Sequence, residues 1–130
     1  MDKSHWDNSK ELRDSVAEEL DNWGTWSRDG GGCVVTSSSS VFKSGEGYRG
    51  VSEAYNVDKA ERTEDILSEW WRTSQSGKVG VFLLKLKYVE RRAREKIGFD
   101  YRRKFKSKRP DEVVQAMIDE AEWFYWLLTK

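Results

Sequence analysis

Between residues 78 and 110 the chain carries thirteen Lys and Arg against three acids, Glu90, Glu95 and Asp100, a local excess of +10. The whole chain is formally neutral, so the remainder carries −10. Charge separated this sharply presents its basic part to a polyanion. The basic segment begins behind an apolar run, Val79-Gly80-Val81-Phe82-Leu83-Leu84-Lys85-Leu86-Lys87-Tyr88-Val89. It ends at Pro110-Asp111-Glu112, an opening suited to a helix: proline fits the first position and the acids fit the positive end of the dipole.

The rest of the composition limits how such a segment can be supported. With 37% hydrophobic residues and a mean hydropathy of −0.84, 130 residues suffice for one small domain. Seven Trp, five Tyr and five Phe make an aromatic core the expected solution. The sequence contains no apolar run long enough for a membrane span, and its start lacks a secretory apolar region. One Cys (Cys33) and one His (His5) exclude an internal disulfide and argue against structural zinc. These features predict a cytoplasmic protein without metal or cofactor.

Taken in order, residues 1–8 read as a polar, frayed end. Residues 9–26 form an amphipathic helix, with Leu12, Val16, Leu20 and Trp23 on one face and Asn8 with Glu11 as a capping box. Gly24 interrupts near its end, giving Trp23-Gly24-Thr25-Trp26. This is either a pair of core tryptophans or an aromatic patch facing a partner. Residues 27–56 follow as a Gly/Ser-rich loop, in which Cys33-Val34-Val35-Thr36 allows a short edge strand and with it a small β-hairpin. Asp58 with Glu61 caps the next helix, whose stripe is Ala60, Thr63, Leu67, Trp70 and Trp71, and Ser74-Gln75-Ser76-Gly77 ends it.

The apolar run fits strand or helix, and its length and the following pattern favour a helix from Val81 to Arg91. A second helix runs from Ala93 to Lys104 with Ile97 and Tyr101 inward. Residues 106–110 make a turn, and the last helix turns Val114, Met117, Ala121, Phe124 and Leu128 inward. Gly98 marks either a close crossing of two helices or a helix C-cap. The reading is thus mainly α, one domain over 1–130, with residues 58–128 a helical region of helix-turn-helix type. In that geometry the last helix enters the major groove by its N-terminal turns, and the preceding helix and turn meet the phosphates.

Two motifs together resemble a known family. One is Trp23-Gly24-Thr25-Trp26 followed by Arg28; the other is Leu84-Lys85-Leu86-Lys87-Tyr88-Val89, then Ile97-Gly98, then a final helix with an inward Ala121. The pattern is similar to the phage late-gene antitermination protein Q family, in its metal-free branch with a sigma-like helix-turn-helix, and covers residues 12–28 and 58–128. The resemblance implies a phage transcription factor that binds double-stranded DNA near a late promoter. It also implies loading onto sigma-containing bacterial RNA polymerase and suppression of termination, with nascent RNA as a further partner. By position it places Glu112, Gln115 and Ala116 at bases, and Arg94, Arg102, Arg103, Lys106, Lys108 and Arg109 at the backbone. Trp23, Trp26 and Arg28 would face a protein partner. The chain departs from the family in the bulky, basic Phe99-Asp100-Tyr101-Arg102-Arg103-Lys104-Phe105 and in lacking an Arg at the start of the last helix.

Two other readings stand beside this one: a promoter-only DNA-binding regulator, and a protein-only inhibitor of polymerase with a solvated basic face. An enzyme is disfavoured, because the single His lies on the polar N-terminal end and Cys33 has no imidazole to activate it.

Overall fold

The computed structural model describes residues 3–30 and 55–130. They fold as α1 (Ser4–Asp7), α2 (Lys10–Arg28), α3 (Val57–Thr73), α4 (Gln75–Leu84), α5 (Arg94–Phe105) and α6 (Asp111–Leu128). A single π-helical turn, Lys85–Val89, continues α4. No strand occurs among the described residues. The edge strand expected at Cys33–Thr36 and most of the Gly/Ser-rich stretch lie outside them.

Local chemistry explains where the helices begin. Ser9, not Asn8, caps α2: its hydroxyl accepts from the Leu12 amide at 3.2 Å, satisfying one of the free donors of the first turn. Likewise Asn56, not Asp58, caps α3 by accepting from the Lys59 amide at 2.9 Å. Asn56 has a second task that decides the choice. Its own amide donates to Asn22 Oδ1 at 2.7 Å, and Asn22 Nδ2 donates to its carbonyl at 3.0 Å, fastening the start of α3 to α2.

Ser74 holds one extended residue between α3 and α4, and its hydroxyl accepts from the Gly77 amide at 2.9 Å. Gln75-Ser76-Gly77 is therefore the first turn of a helix rather than the end of one. A linker-like composition yields here to a good N-cap. As a result α4 starts well before Val81.

The core has two connected parts. The larger joins α1, α2, α3, α4 and α6 through Trp6, Leu20, Trp23, Leu67, Leu84 and Tyr125. The smaller joins α4, the π turn, α5 and α6 through Leu83, Leu86, Ile97, Tyr101, Val114 and Ile118. Ile97 and Tyr101 face inward as their spacing predicts. The inward stripe of α6 is Val114, Ile118, Ala121 and Tyr125. Phe124 and Leu128 are exposed, and Met117 is half-buried. Apolar residues ring α6 on every side, so periodicity alone cannot choose its phase; contact with the five other helices does. The N-terminus also differs from expectation. Trp6 is fully buried, and Lys3 pairs with Asp119 on α6 at 2.9 Å. Burying one Trp stabilises by on the order of 3 kcal/mol, enough to dock an otherwise polar segment.

Helix α2 passes straight through Gly24 to Arg28. A β-carbon at Gly24 would overlap the backbone carbonyl of Tyr88, so the absent side chain is what lets α2 lie on the π turn. One turn on, Arg28 Nη1 donates to the Tyr88 and Val89 carbonyls at 3.0 and 3.1 Å. Those carbonyls end a helix and lack partners within it. Gly24→Ala must move backbone on one side or the other, and a loss of about 1–3 kcal/mol is expected, measured by urea denaturation.

Candidate nucleic-acid interface

Six of the thirteen cations of residues 78–110 form ion pairs inside the molecule. Lys85 and Arg92 both reach Glu90 at 2.7 Å, Arg92 and Lys96 reach Asp100, Lys87 reaches Glu122 at 2.7 Å, and Arg91 reaches Asp21. Arg102 completes the set with Asp111 at 2.8 Å. Burial pushes the Glu90 carboxyl up, and bonds and charge from Lys85 and Arg92 outweigh it, leaving the group below the usual carboxylate range. Beside this network, burial and then the Glu122 carboxylate hold the Tyr88 phenol protonated well above its ordinary range.

The remaining cations are concentrated. Among the described residues, Arg94, Arg103, Lys104, Lys106, Lys108 and Arg109 have no carboxylate in ion-pair range, and all six are exposed. They occupy α5 and the turn into α6. Lys78, the only other cation of the segment outside the ion pairs, is turned inward: its ammonium donates to the Trp71 carbonyl and lies 4.5 Å from that ring's centre.

The turn is shaped by Arg102 and Gly98. Arg102 Nη1 donates to Asp111 Oδ1 at 2.8 Å and to the Arg109 carbonyl at 3.0 Å, clamping the end of α5 to the start of α6. A β-carbon on Gly98 would collide with the same Asp111 carboxylate. Gly98 thus lies in mid-helix at a close approach, not at a C-cap. Arg102, expected at the DNA backbone, is engaged in the fold, with Asp111 as its ion-pair partner.

At the end of α5, Lys106 takes the left-handed conformation with φ 53°. Glycine is the usual residue there, since a β-carbon costs about 1–2 kcal/mol. Strain of this kind is retained where the side chain has a use. Next come exposed Lys108, Arg109 and Pro110.

The first two turns of α6 lie open beside this surface. Glu112 and Ala116 are exposed and Gln115 is half-buried. The open stretch ends at Asp119, which holds Lys3 and accepts from Trp6 Nε1 at 3.5 Å. Lys3 and α1 therefore cover α6 around Asp119 and leave its first two turns open.

The aromatic patch expected in front of a partner does not form as such. Trp23 is 1% exposed and donates from Nε1 to Glu64 at 2.9 Å. Trp26 is half-buried against the core, and Arg28 is turned onto the π-turn carbonyls. The core alternative for the tryptophan pair is the one the packing supports. Sequence reasoning missed one residue of this surface, Phe99, which is 50% exposed on α5. With Ile97 and Tyr101 inward, its helical phase already pointed it outward.

Among the described residues no cluster of His, Cys, Asp or Glu could hold a metal, and no helix is long and apolar enough to cross a membrane. No family model, curated protein or solved structure matches this chain.

Replacing Lys106 with Gly separates strain from use. Stability in thermal or urea melts should stay equal or rise by up to about 1 kcal/mol, while affinity for duplex DNA falls. A gain in stability with unchanged affinity would remove Lys106 from the interface.

Proposed function

We propose that this chain is a DNA-binding transcription factor of helix-turn-helix type, acting as a phage late-gene antitermination factor. One observation carries the nucleic-acid part: six exposed cations without carboxylate partners are gathered on α5 and its turn, beside the open first turns of α6. In this reading Arg94, Arg103, Lys106, Lys108 and Arg109 neutralise phosphates. Glu112, Gln115 and Ala116 meet base edges, with Glu112 accepting from a cytosine amine. Arg102 is a positioning residue that sets the angle between the two helices.

The antitermination part is supported by the two motifs that suggested the family. They touch: Gly24 and Arg28 of the first lie on Tyr88 and Val89 of the second. The acidic α2–α3 half is thereby joined rigidly to the basic module, an arrangement suited to holding polymerase with one side and nucleic acid with the other. Bacterial RNA polymerase, with its sigma factor at loading, is the protein partner in this reading, and the host cytoplasm is the place of action. Nascent RNA is a further partner.

Duplex titrations test the first part. With about 4–6 phosphates neutralised, log affinity should fall with log salt at a slope of about −4 to −5. Replacing Lys106, Lys108 and Arg109 together with Ala should weaken binding to all sequences and reduce that slope by about three. A purified transcription system tests the second part: readthrough of a terminator that depends on the promoter region supports antitermination. Sequence-specific binding without readthrough would leave a promoter-only regulator.

A protein-only polymerase inhibitor is favoured by one observation, the six cations already paired within the molecule. It predicts a flat salt dependence and no DNA affinity at moderate salt.

A further inference from the structure

Phe99 is the most exposed large hydrophobic side chain among the described residues. A single exposed apolar ring needs no explanation by itself; the surroundings of this one do. It projects from α5, the helix that carries the unpaired cations. Lys96 lies one turn before it, its ammonium 4.9 Å from the ring centre. Arg102 and Arg103 lie one turn after it, at the spacing that makes helical residues neighbours. Arg103 in turn lines a groove of about 430 Å³ with Phe82, Lys104 and the paired Lys85, Arg92, Glu90 and Asp100, and Arg103 and Lys104 are the cations there without a carboxylate partner.

The core makes no use of this ring. Among the described residues it belongs to neither apolar cluster, and the Lys96 ammonium lies beside it. Nor does a phenyl face suit the outside of a double helix, where bases are already stacked and phosphates form the rim. It does suit a base that has no stacking neighbour. Surfaces that take single strands combine cations along the backbone with an aromatic ring under a base, and α5 offers both within one turn.

We infer that Phe99 is a stacking platform for an unpaired base of a single strand, DNA or RNA, with Arg103 on a flanking phosphate. The inference rests on the proposed nucleic-acid surface and adds a second mode of binding to it. Duplex DNA meets the turn and the start of α6; a single strand crosses the outer face of α5. A protein that works where a duplex is open or a transcript emerges meets such strands.

The test uses the full chain, its Phe99→Ala and Phe99→Trp variants, and four fluorescent probes: oligothymidine, oligouridine, an abasic oligomer and a duplex. The ring is at the surface, so both variants should fold, which circular dichroism checks. Phe99→Ala should weaken oligothymidine and oligouridine by about tenfold or more, and Phe99→Trp should restore or tighten both. The duplex and the abasic oligomer should bind both variants as they bind the parent chain. A 2-aminopurine base placed in the oligomer should be quenched by the parent chain and not by Phe99→Ala. A loss confined to one of the two oligomers supports the platform and identifies its strand as DNA or RNA. Equal single-strand affinity of parent and Phe99→Ala, or an equal loss on duplex and single strand, overturns the stacking role while the duplex reading stands. Failure of the parent chain to bind either form overturns both.

Discussion

The contact of α2 with the π turn is the constraint on which the rest of the structure depends. A π-helical turn widens the helix and leaves its last carbonyls without partners inside it. Here those of Tyr88 and Val89 accept from Arg28, and Gly24 removes the β-carbon that would hold the two backbones apart. The same turn carries Leu86 into the smaller core and Tyr88 into the larger one. One junction therefore sets both the end of α4 and the place where the basic module leaves the body of the protein. Two tyrosine hydroxyls reinforce it from within. Tyr88 donates to Glu122 at 2.7 Å, and Tyr125 bridges Thr63 and Glu19 at 2.9 Å, so α2, α3, α4 and α6 share buried polar bonds as well as apolar contact. Such networks strengthen one another where the local dielectric is low.

The charge of the basic segment is sorted, not merely solvated. In its first part, from Lys85 to Lys96, every cation but Arg94 meets Glu90, Asp100, Glu122 or Asp21. Its second part, from Arg103 to Arg109, meets no carboxylate among the described residues. Exposed ion pairs contribute at most about 1 kcal/mol each, so their effect on stability is small. Their effect on the field is larger. Cancelling charge near the π turn concentrates the uncancelled excess on the outer part of α5 and the turn that follows, and a concentrated excess attracts a polyanion more strongly than a diffuse one.

How far the sequence could be read varied with the kind of force involved. Helix existence was legible wherever apolar residues recurred at one spacing: Val16, Leu20 and Trp23 in α2, Ala60, Thr63, Leu67 and Trp70 in α3, Ile97 and Tyr101 in α5. Caps were misplaced by one or two residues, because adjacent Asn, Ser and Asp side chains are chemically equal candidates. Asn56 prevails over Asp58 through its bonds to Asn22, distant in the chain. The same holds at the site. That α5 and its turn would be basic was legible; that Arg102 would turn inward onto Asp111 was not, since the pairing depends on where α6 begins relative to Gly98.

By itself, then, the sequence determined the helical class, the aromatic core, and the place of the charge excess along the chain. Periodicity and composition are properties of neighbours in sequence, and these features need nothing more. Tertiary structure alone decided the phase of α6, the burial of Trp6, and which cations are paired and which stand open. Each of those depends on groups far apart in the chain meeting at a distance of a few ångströms, a relation that a one-dimensional pattern does not contain.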